Sequence, residues 1–281
     1  MNSEQDYIKL LDLLYRVVEA NRGPLNGADD RYWYAEGLVT KFFMHAASIL
    51  YLSRQTSIPE MLSTPLKFID SASIDVLTRA AFEAFLTFHY VFIAPATPEE
   101  ADYRYWAYTA AGLAERQRSP ASAPEHKQKL AKEKKELDVL HNKLCSNTTF
   151  KNLTNKQKLR VLKGEWRLLS WREIAETAGL VKILSSDMYR HLSGYVHSGS
   201  LSIFQIKQAL QKEEQPLLIQ SSMDFTNIAT ANVIHEYCEL FPRAKNALCA
   251  YPKGTDIVGI WVQIGWTLDS ETPTDNENRN T

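Results

Sequence analysis

Cysteine is scarce in this sequence. Its 281 residues include three cysteines, Cys145, Cys238 and Cys249, and no CxxC spacing occurs among them. An odd number of cysteines at these separations indicates neither a disulfide framework nor a zinc site, and such usage is typical of a reducing compartment. We therefore expect a cytoplasmic protein.

Long apolar runs are missing as well. The N-terminal stretch MNSEQDYIKLLDLLYRVVEA lacks a basic segment followed by an apolar run, so no signal peptide is expected. No stretch of eighteen residues is apolar and uncharged throughout, which argues against a membrane span. We predict no membrane partner.

The short motifs of several common enzyme classes are also absent. The sequence has no P-loop, no GxGxxG, no GxSxG and no HExxH, which removes the usual nucleotide-binding, hydrolase and zincin classes. A di-iron carboxylate bundle needs a glutamate three residues before a histidine on facing helices. None of the seven histidines has one, and the nearest case is Asp138 before His141. We expect neither a metal ion nor a cofactor.

Apolar residues at helical spacing are what the sequence has in abundance. Tyr7, Leu10, Leu14 and Val17 mark one stripe of a first helix, which the segment NRGPLNG ends. Strand-like alternation is almost absent. The sequence therefore predicts an all-α multi-helix bundle, with a single domain over residues 1–269 and a disordered polar tail over residues 270–281.

Further helix boundaries follow from caps and breakers. Pro98, followed by two glutamates, favours a helix start, and SPASAP at residues 119–124 favours a loop within one domain. Ser185, Ser186 or Asp187 is predicted to cap a helix with the sequence DMYRHLSGYVHSGS. Four more helices are predicted at about residues 32–53, from about residue 70 to before Pro95, at residues 170–180 and at about residues 223–248. A last helix is predicted at residues 256–268, where a β-strand is the alternative.

Charge is distributed unevenly along the chain. The net charge is -1, yet residues 126–167 contain twelve lysines and arginines against four acidic residues. Such segregation can mark a surface that meets phosphate, and the candidate RNA contacts are Lys134, Lys135, Lys158 and Arg160. The alternative is a solvated charged helix on the outside of the bundle.

Arg190 and His197 are seven residues apart, which on an α-helix is two turns and places them on one face. His191 adds a second imidazole to the same segment. A histidine can accept or donate a proton near neutral pH, and a guanidinium can stabilise growing charge on a phosphoryl group. This combination suits metal-independent cleavage of RNA, whose 2′-hydroxyl is the nucleophile.

The segment RHLSGYVH resembles the signature of the HEPN superfamily, which has an arginine, a polar neighbour and a histidine after four to six intervening residues. Many of its members are dimeric ribonucleases of toxin–antitoxin and antiviral defence systems. The resemblance implies that Arg190 contacts phosphate, His191 is the polar neighbour and His197 is the general acid or base of a homodimer. A protein antitoxin or defence partner is also implied, as is a HEPN-like helical core.

A second resemblance covers most of residues 35–205. The segments GLVTKFFMHAASI, DSASIDVLTRAAFEAFLTFHYVF and YRHLSGYVHSGS resemble those of a bacterial family of helical proteins of unknown function. Because the function of that family is unknown, this resemblance implies no activity for the chain. The alternative to a ribonuclease is therefore a non-catalytic helical module that binds RNA, a nucleotide or a protein partner.

Arg79 and Glu83 are four residues apart on a segment that is apolar almost all round. Charges in such surroundings must be paired, so we expect a structural ion pair between helices. Two alternatives stay open: a brace for Arg190 or His197, and a small-molecule enzyme whose site is open to a pocket at Arg79 and Glu83.

Overall fold

The structure is a computed structural model that describes residues 3–23, 30–58 and 66–267. Within those ranges it is built from α-helices, two π-helical segments and one short hairpin, so the all-α prediction is confirmed. The predicted polar tail at residues 270–281 lies outside the described residues. The helices are α1 (Ser3–Ala20), α2 (Asp30–Ser53), α3 (Ser71–Phe88), α4 (Pro98–Gln117), α5 (Pro124–Ser146), α6 (Thr148–Lys151), α7 (Asn155–Leu162), α8 (Trp171–Thr177), α9 (Tyr189–Val196), α10 (Ser200–Lys212), α11 (Gln215–Leu240), α12 (Pro242–Cys249) and α13 (Pro252–Thr267).

The chain divides into two compact units. The first comprises Met1–Thr87 and Trp171–Thr281, and the second comprises Phe88–Ser170. The assignment of residues 1–269 to one domain stays a prediction, and each unit is described by itself.

The first unit is organised around α11. This helix packs against α1, α2, α10, α12 and α13, so nearly all of its faces are buried. Two of its buried polar residues are accommodated within the helix: the hydroxyls of Thr226 and Thr230 each donate to the carbonyl oxygen four residues earlier, at 2.7 Å. Gly265 allows α13 to come close, because a Cβ atom there would lie 2.8 Å from Cγ2 of Ile228. The predicted helix near residues 256–268 is confirmed as α13.

A long predicted helix over residues 223–248 is instead two helices. Proline has no backbone N–H and collides with the carbonyl four residues before it, so Pro242 cannot continue α11. Phe241 adopts an extended conformation with φ −122° and ψ 104°, and α12 begins at Pro242. The prediction of one continuous helix was wrong.

α3 runs through the first unit and is followed by a π-helical segment, His89–Ile93. By length and composition the stretch Ser71–Ile93 is apolar enough to cross a membrane, and 61% of its apolar window is buried inside the protein. A core helix of a globular bundle passes the same test because it too must be apolar on most sides. One such helix is weak evidence for a membrane span.

The second unit contains α4 to α7 and the basic stretch. α4 begins as predicted, with Pro98 in its first turn and the Thr97 hydroxyl accepting the N–H of Glu100 at 3.2 Å. The predicted loop at residues 119–124 lies between α4 and α5 except for Pro124, which is the first residue of α5. Buried side chains from these helices form one cluster: Tyr103, Ala107, Ala110, Leu137, Leu144, Phe150 and Val161.

Candidate functional site

The helix that carries Arg190 and His191, α9, continues directly from a preceding π-helical segment. The π-helical segment Ile183–Met188 runs directly into α9, since Met188 already has helical dihedral angles of φ −64° and ψ −42°. The prediction that a side chain at residues 185–187 caps this helix was therefore wrong. Single-turn π-helical insertions in α-helices are frequent at functional sites.

The same helix ends abruptly. Val196 is the last residue of α9, and the N–H of His197 donates to the carbonyl of Ser193 at 3.1 Å. Ser198 has a left-handed φ of 52°, a conformation that few non-glycine residues adopt. The N–H of Gly199 then donates to the carbonyl of Gly194 at 2.8 Å. This turn folds α10 back against α9.

A groove of ≈ 350 Å³ lies between α9 and α10. The α9 side is formed by Arg190, His191, Gly194 and Tyr195. Two pairs among them, Arg190 with Gly194 and His191 with Tyr195, are four residues apart and so lie along the same side of the helix. The full lining is Asp187, Arg190, His191, Gly194, Tyr195, Gly199, Leu201, Ser202 and Gln205. The groove thus combines one guanidinium, one imidazole and several neutral hydrogen-bonding groups.

His197 does not line this groove. Arg190 and His197 are both exposed, and the α-helix is unbroken from Arg190 to Val196. His197 is the residue at which the helix stops, with φ −100° and ψ 15°. The structure therefore brings Arg190 together with His191, and it leaves His197 at the end of the helix outside the groove.

Arg190 forms an ion pair with Asp187, three residues earlier. The arginine side chain is 75% exposed and the aspartate side chain 51% exposed, so both remain open to solvent. An exposed ion pair contributes little to stability, and a better-placed anion can compete for it. Arg190 is therefore available to a phosphate in the groove.

His191 is half-buried, and its ring lies 5.2 Å from the ring of Tyr195. Burial lowers the pKa of His191 below its ordinary value, because the charged imidazolium is poorly solvated there. At neutral pH the imidazole is therefore uncharged. A neutral imidazole is the form that can accept a proton.

Tyr195 forms the inner wall of the groove. Burial, and after it the charge of Asp75, raises the pKa of this phenol to about 12. The phenol consequently keeps its proton at physiological pH, and it donates a hydrogen bond to Oε1 of Gln205 on α10 at 3.2 Å. This bond joins the two helices that form the groove and holds the ring against which His191 packs.

Arg79 and Glu83 form an ion pair with Tyr189 as a third member. Nε of Arg79 donates to Oε1 of Glu83 at 3.0 Å, and another guanidinium nitrogen donates to the Tyr189 hydroxyl at 2.9 Å. That hydroxyl donates to the same glutamate oxygen at 2.9 Å. Neither Arg79 nor Glu83 lines the groove. The cluster ties α3 to the first residue of α9, next to Arg190.

The four candidate RNA contacts lie in the second unit, on α5 and α7. Lys134 pairs with Asp138 at 2.8 Å, and Arg160 pairs with Glu165 at 2.6 Å. Lys135 is exposed and Lys158 is half-buried. Their role in RNA binding stays a prediction. Over residues 3–23, 30–58 and 66–267, no three His, Cys, Asp or Glu side chains are grouped as metal ligands.

Residues 32–215 match the family of unknown function DUF5677. The chain belongs to this family. The DUF5677 match extends from α2 to the first residue of α11 and so includes the whole groove, whereas α1, α12 and α13 lie outside it. No curated protein and no solved structure shows significant similarity to the chain. The resemblance to a helical family of unknown function is confirmed, and the link to the HEPN superfamily stays a prediction.

Proposed function

We propose that the groove between α9 and α10 binds an RNA phosphate, and that the protein is a HEPN-like, metal-independent endoribonuclease. One observation carries the proposal: Arg190 and His191 line the same groove, one permanently charged and exposed, the other kept neutral by burial. A toxin or defence effector in the cytoplasm would use such an activity. The HEPN-like core and the cytoplasmic location are parts of this proposal.

The chemistry needs only these groups and the substrate. His191 accepts the proton of the ribose 2′-hydroxyl, and the 2′-oxygen attacks the neighbouring phosphorus. The bond from phosphorus to the 5′-oxygen breaks, leaving a 2′,3′-cyclic phosphate. The 5′-oxygen takes a proton from water, and protonated His191 returns its proton to the solvent. Arg190 exchanges Asp187 for the phosphate and forks onto two of its oxygens as negative charge grows.

The second candidate function is a non-catalytic helical module that binds RNA, a nucleotide or a protein partner such as an antitoxin. The position of His197 favours it, because the histidine of the Arg–His spacing lies outside the groove. Binding needs the guanidinium and the neutral donors of the groove and no proton transfer. The two candidates therefore differ in whether RNA is cut.

Cleavage of RNA by the purified protein is the deciding experiment. We expect a structured and an unstructured labelled RNA to be cut in the presence of EDTA, since no metal takes part in the proposed step. The products should end in 2′,3′-cyclic phosphate and 5′-hydroxyl, and a single 2′-deoxy substitution at the scissile nucleotide should block cleavage there. Activity abolished by EDTA would indicate a different enzyme, and saturable binding without any cleavage would support the module.

The proposal includes a homodimer. One α9 supplies one Arg190, and α10 beside it leaves Leu201 65% and Phe204 63% exposed, which is apolar surface for a two-fold contact. Light scattering at micromolar concentration should give a dimer, and Phe204→Glu should shift it to the monomer. Val139→Glu, at an exposed apolar position of the second unit, is the matched control. A monomer in the unmodified protein would remove the dimer from the proposal.

A further inference from the structure

A second groove lies between α1 and α2, with a volume of ≈ 330 Å³. That volume is at the lower end of the range typical of small-molecule sites. Its apolar walls are formed by Tyr15, Val18, Phe43 and Met44, and the Tyr15 and Phe43 rings lie 6.0 Å apart. The polar lining residues are Glu19, Arg22, Glu36 and Thr40. It shares no residue with the groove of α9 and α10.

Glu36 is held in place by two donors. Its Oε1 accepts the side-chain amide of Asn21 at 3.1 Å and the hydroxyl of Tyr237 at 3.3 Å. Both bonds are made to the same oxygen, and the described residues donate no hydrogen bond to Oε2. Glu36 lines the groove and is fixed through one carboxylate oxygen, so it is preorganised for a donor that comes from outside the chain.

The charges of this groove leave Glu36 uncompensated. Arg22 pairs with Glu19 at 3.0 Å, three residues apart on the same stretch of chain. No lysine, arginine or histidine in the described part of the chain forms an ion pair with Glu36. Among the described residues, the groove therefore has one negative charge that no cation balances, beside two aromatic rings and a thioether.

We propose that this groove binds a small organic monocation, a primary amine carried on an aromatic or branched apolar body. The ammonium group donates to Oε2 of Glu36, and the apolar body lies against Tyr15, Phe43 and Met44. Aromatic faces attract cations as well as apolar groups, which adds to the preference for an amine. An organic anion would meet the Glu36 carboxylate, and a dication would leave one charge without a partner.

The test uses 2-phenylethylamine and its uncharged analogue 2-phenylethanol on the full chain. In a protein NMR titration the amine should shift the amide signals of Thr40, Phe43 and Met44 saturably. The alcohol should bind about tenfold more weakly or worse, because its hydroxyl can donate to Glu36 but carries no positive charge and forms no ion pair with the carboxylate. This comparison needs no variant, so it does not depend on how a substitution folds.

Glu36→Gln keeps an oxygen that accepts from Asn21 and Tyr237 and removes the charge. We expect this variant to bind the amine and the alcohol equally weakly. Asp12→Asn removes a charge from an exposed position of α1 that does not line the groove, so it is the matched control and should keep the preference for the amine. Equal affinity of the unmodified protein for both compounds, or full amine binding by the Glu36→Gln protein, would overturn the proposal.

Discussion

Replacing Arg190 with alanine is expected to lower RNA cleavage by about a hundredfold or more, the usual effect of losing one group that stabilises transition-state charge. Arg190→Lys should recover only part of the rate, because an ammonium cannot fork onto two phosphoryl oxygens. Since the side chain is 75% exposed, both variants should keep the melting temperature of the unmodified protein. The measurement is kcat/KM on one labelled RNA, with thermal unfolding alongside.

His191→Ala should also cost about a hundredfold, the scale of a lost acid–base group. His197→Ala should lower kcat/KM by less than about tenfold, because that residue lies outside the groove and proton transfer requires hydrogen-bond reach.

The pH dependence of cleavage tests the same assignment, since cleavage needs neutral His191. Because burial lowers its pKa, kcat/KM should hold constant as the pH falls and decline only below the ordinary histidine value of about 6.5.

Three outcomes would contradict this assignment. Full activity of the Arg190→Ala protein would remove the arginine from the reaction. A loss with His197→Ala as large as that with His191→Ala would move the proton transfer to the end of α9, as the HEPN resemblance implies. A decline of kcat/KM that begins above the ordinary histidine pKa would show that His191 is not the base.

The helices whose signals are local could be predicted from the sequence. α4 begins at Pro98 because a proline, two acidic residues and the Thr97 hydroxyl all act within one turn. Pro242 gives an equally local signal, because proline has no backbone N–H to continue a helix. The prediction of one helix over residues 223–248 was wrong because it gave more weight to the apolar periodicity than to this proline. The hairpin of β1 (Thr56–Ile58) and β2 (Leu66–Phe68) was not predicted, since three-residue strands are too short to show alternation.

The candidate site could be predicted in part. The spacing of Arg190 and His197 placed both on one helix, and the turn residues Ser198 and Gly199 that follow explain why the helix stops short of the histidine. The opposite wall of the groove is on α10, and its position depends on how α9 and α10 pack. The apolar periodicity of the sequence predicts each helix but not their packing. Likewise Arg79 and Glu83 are visible as an i, i+4 pair, whereas their partner Tyr189 is more than a hundred residues away.

Asp75 is expected to make the stability of the first unit fall as the pH rises. Its carboxyl is fully buried on α3, Oδ1 accepts the hydroxyl of Ser222, and Oδ2 has no partner among the described residues. Burial raises the pKa of this carboxyl from 3.8 to about 7. The neighbouring Tyr195 phenol keeps its proton over this range, since its own pKa is raised to about 12.

The sign follows from proton binding. Between pH 3.8 and about 7 the folded state holds the Asp75 proton and the unfolded state does not, so raising the pH favours unfolding. Below pH 3.8 the Asp75 carboxyl is protonated in both states, and above about pH 7 its buried charge destabilises the folded state by the full amount. At about 1.4 kcal/mol for each pH unit, the interval between these two pKa values amounts to about 4 kcal/mol.

Asp75→Asn isolates this contribution, because asparagine does not titrate and its Oδ1 still accepts from Ser222. The two new amide hydrogens destabilise the folded state by an amount that does not vary with pH. The prediction therefore concerns how the stability difference between variant and unmodified protein changes with pH, and not its absolute value. In urea unfolding at a series of pH values, the variant should gain stability relative to the unmodified protein as the pH rises from about 4 to 7, by several kcal/mol in all. Thr78→Val, at a buried position on α3 that does not titrate, is the control, and its stability difference should not vary with pH. A difference that stays flat for Asp75→Asn as well would mean that its carboxylate is solvated or paired, and that Asp75 is charged beneath α9 at neutral pH.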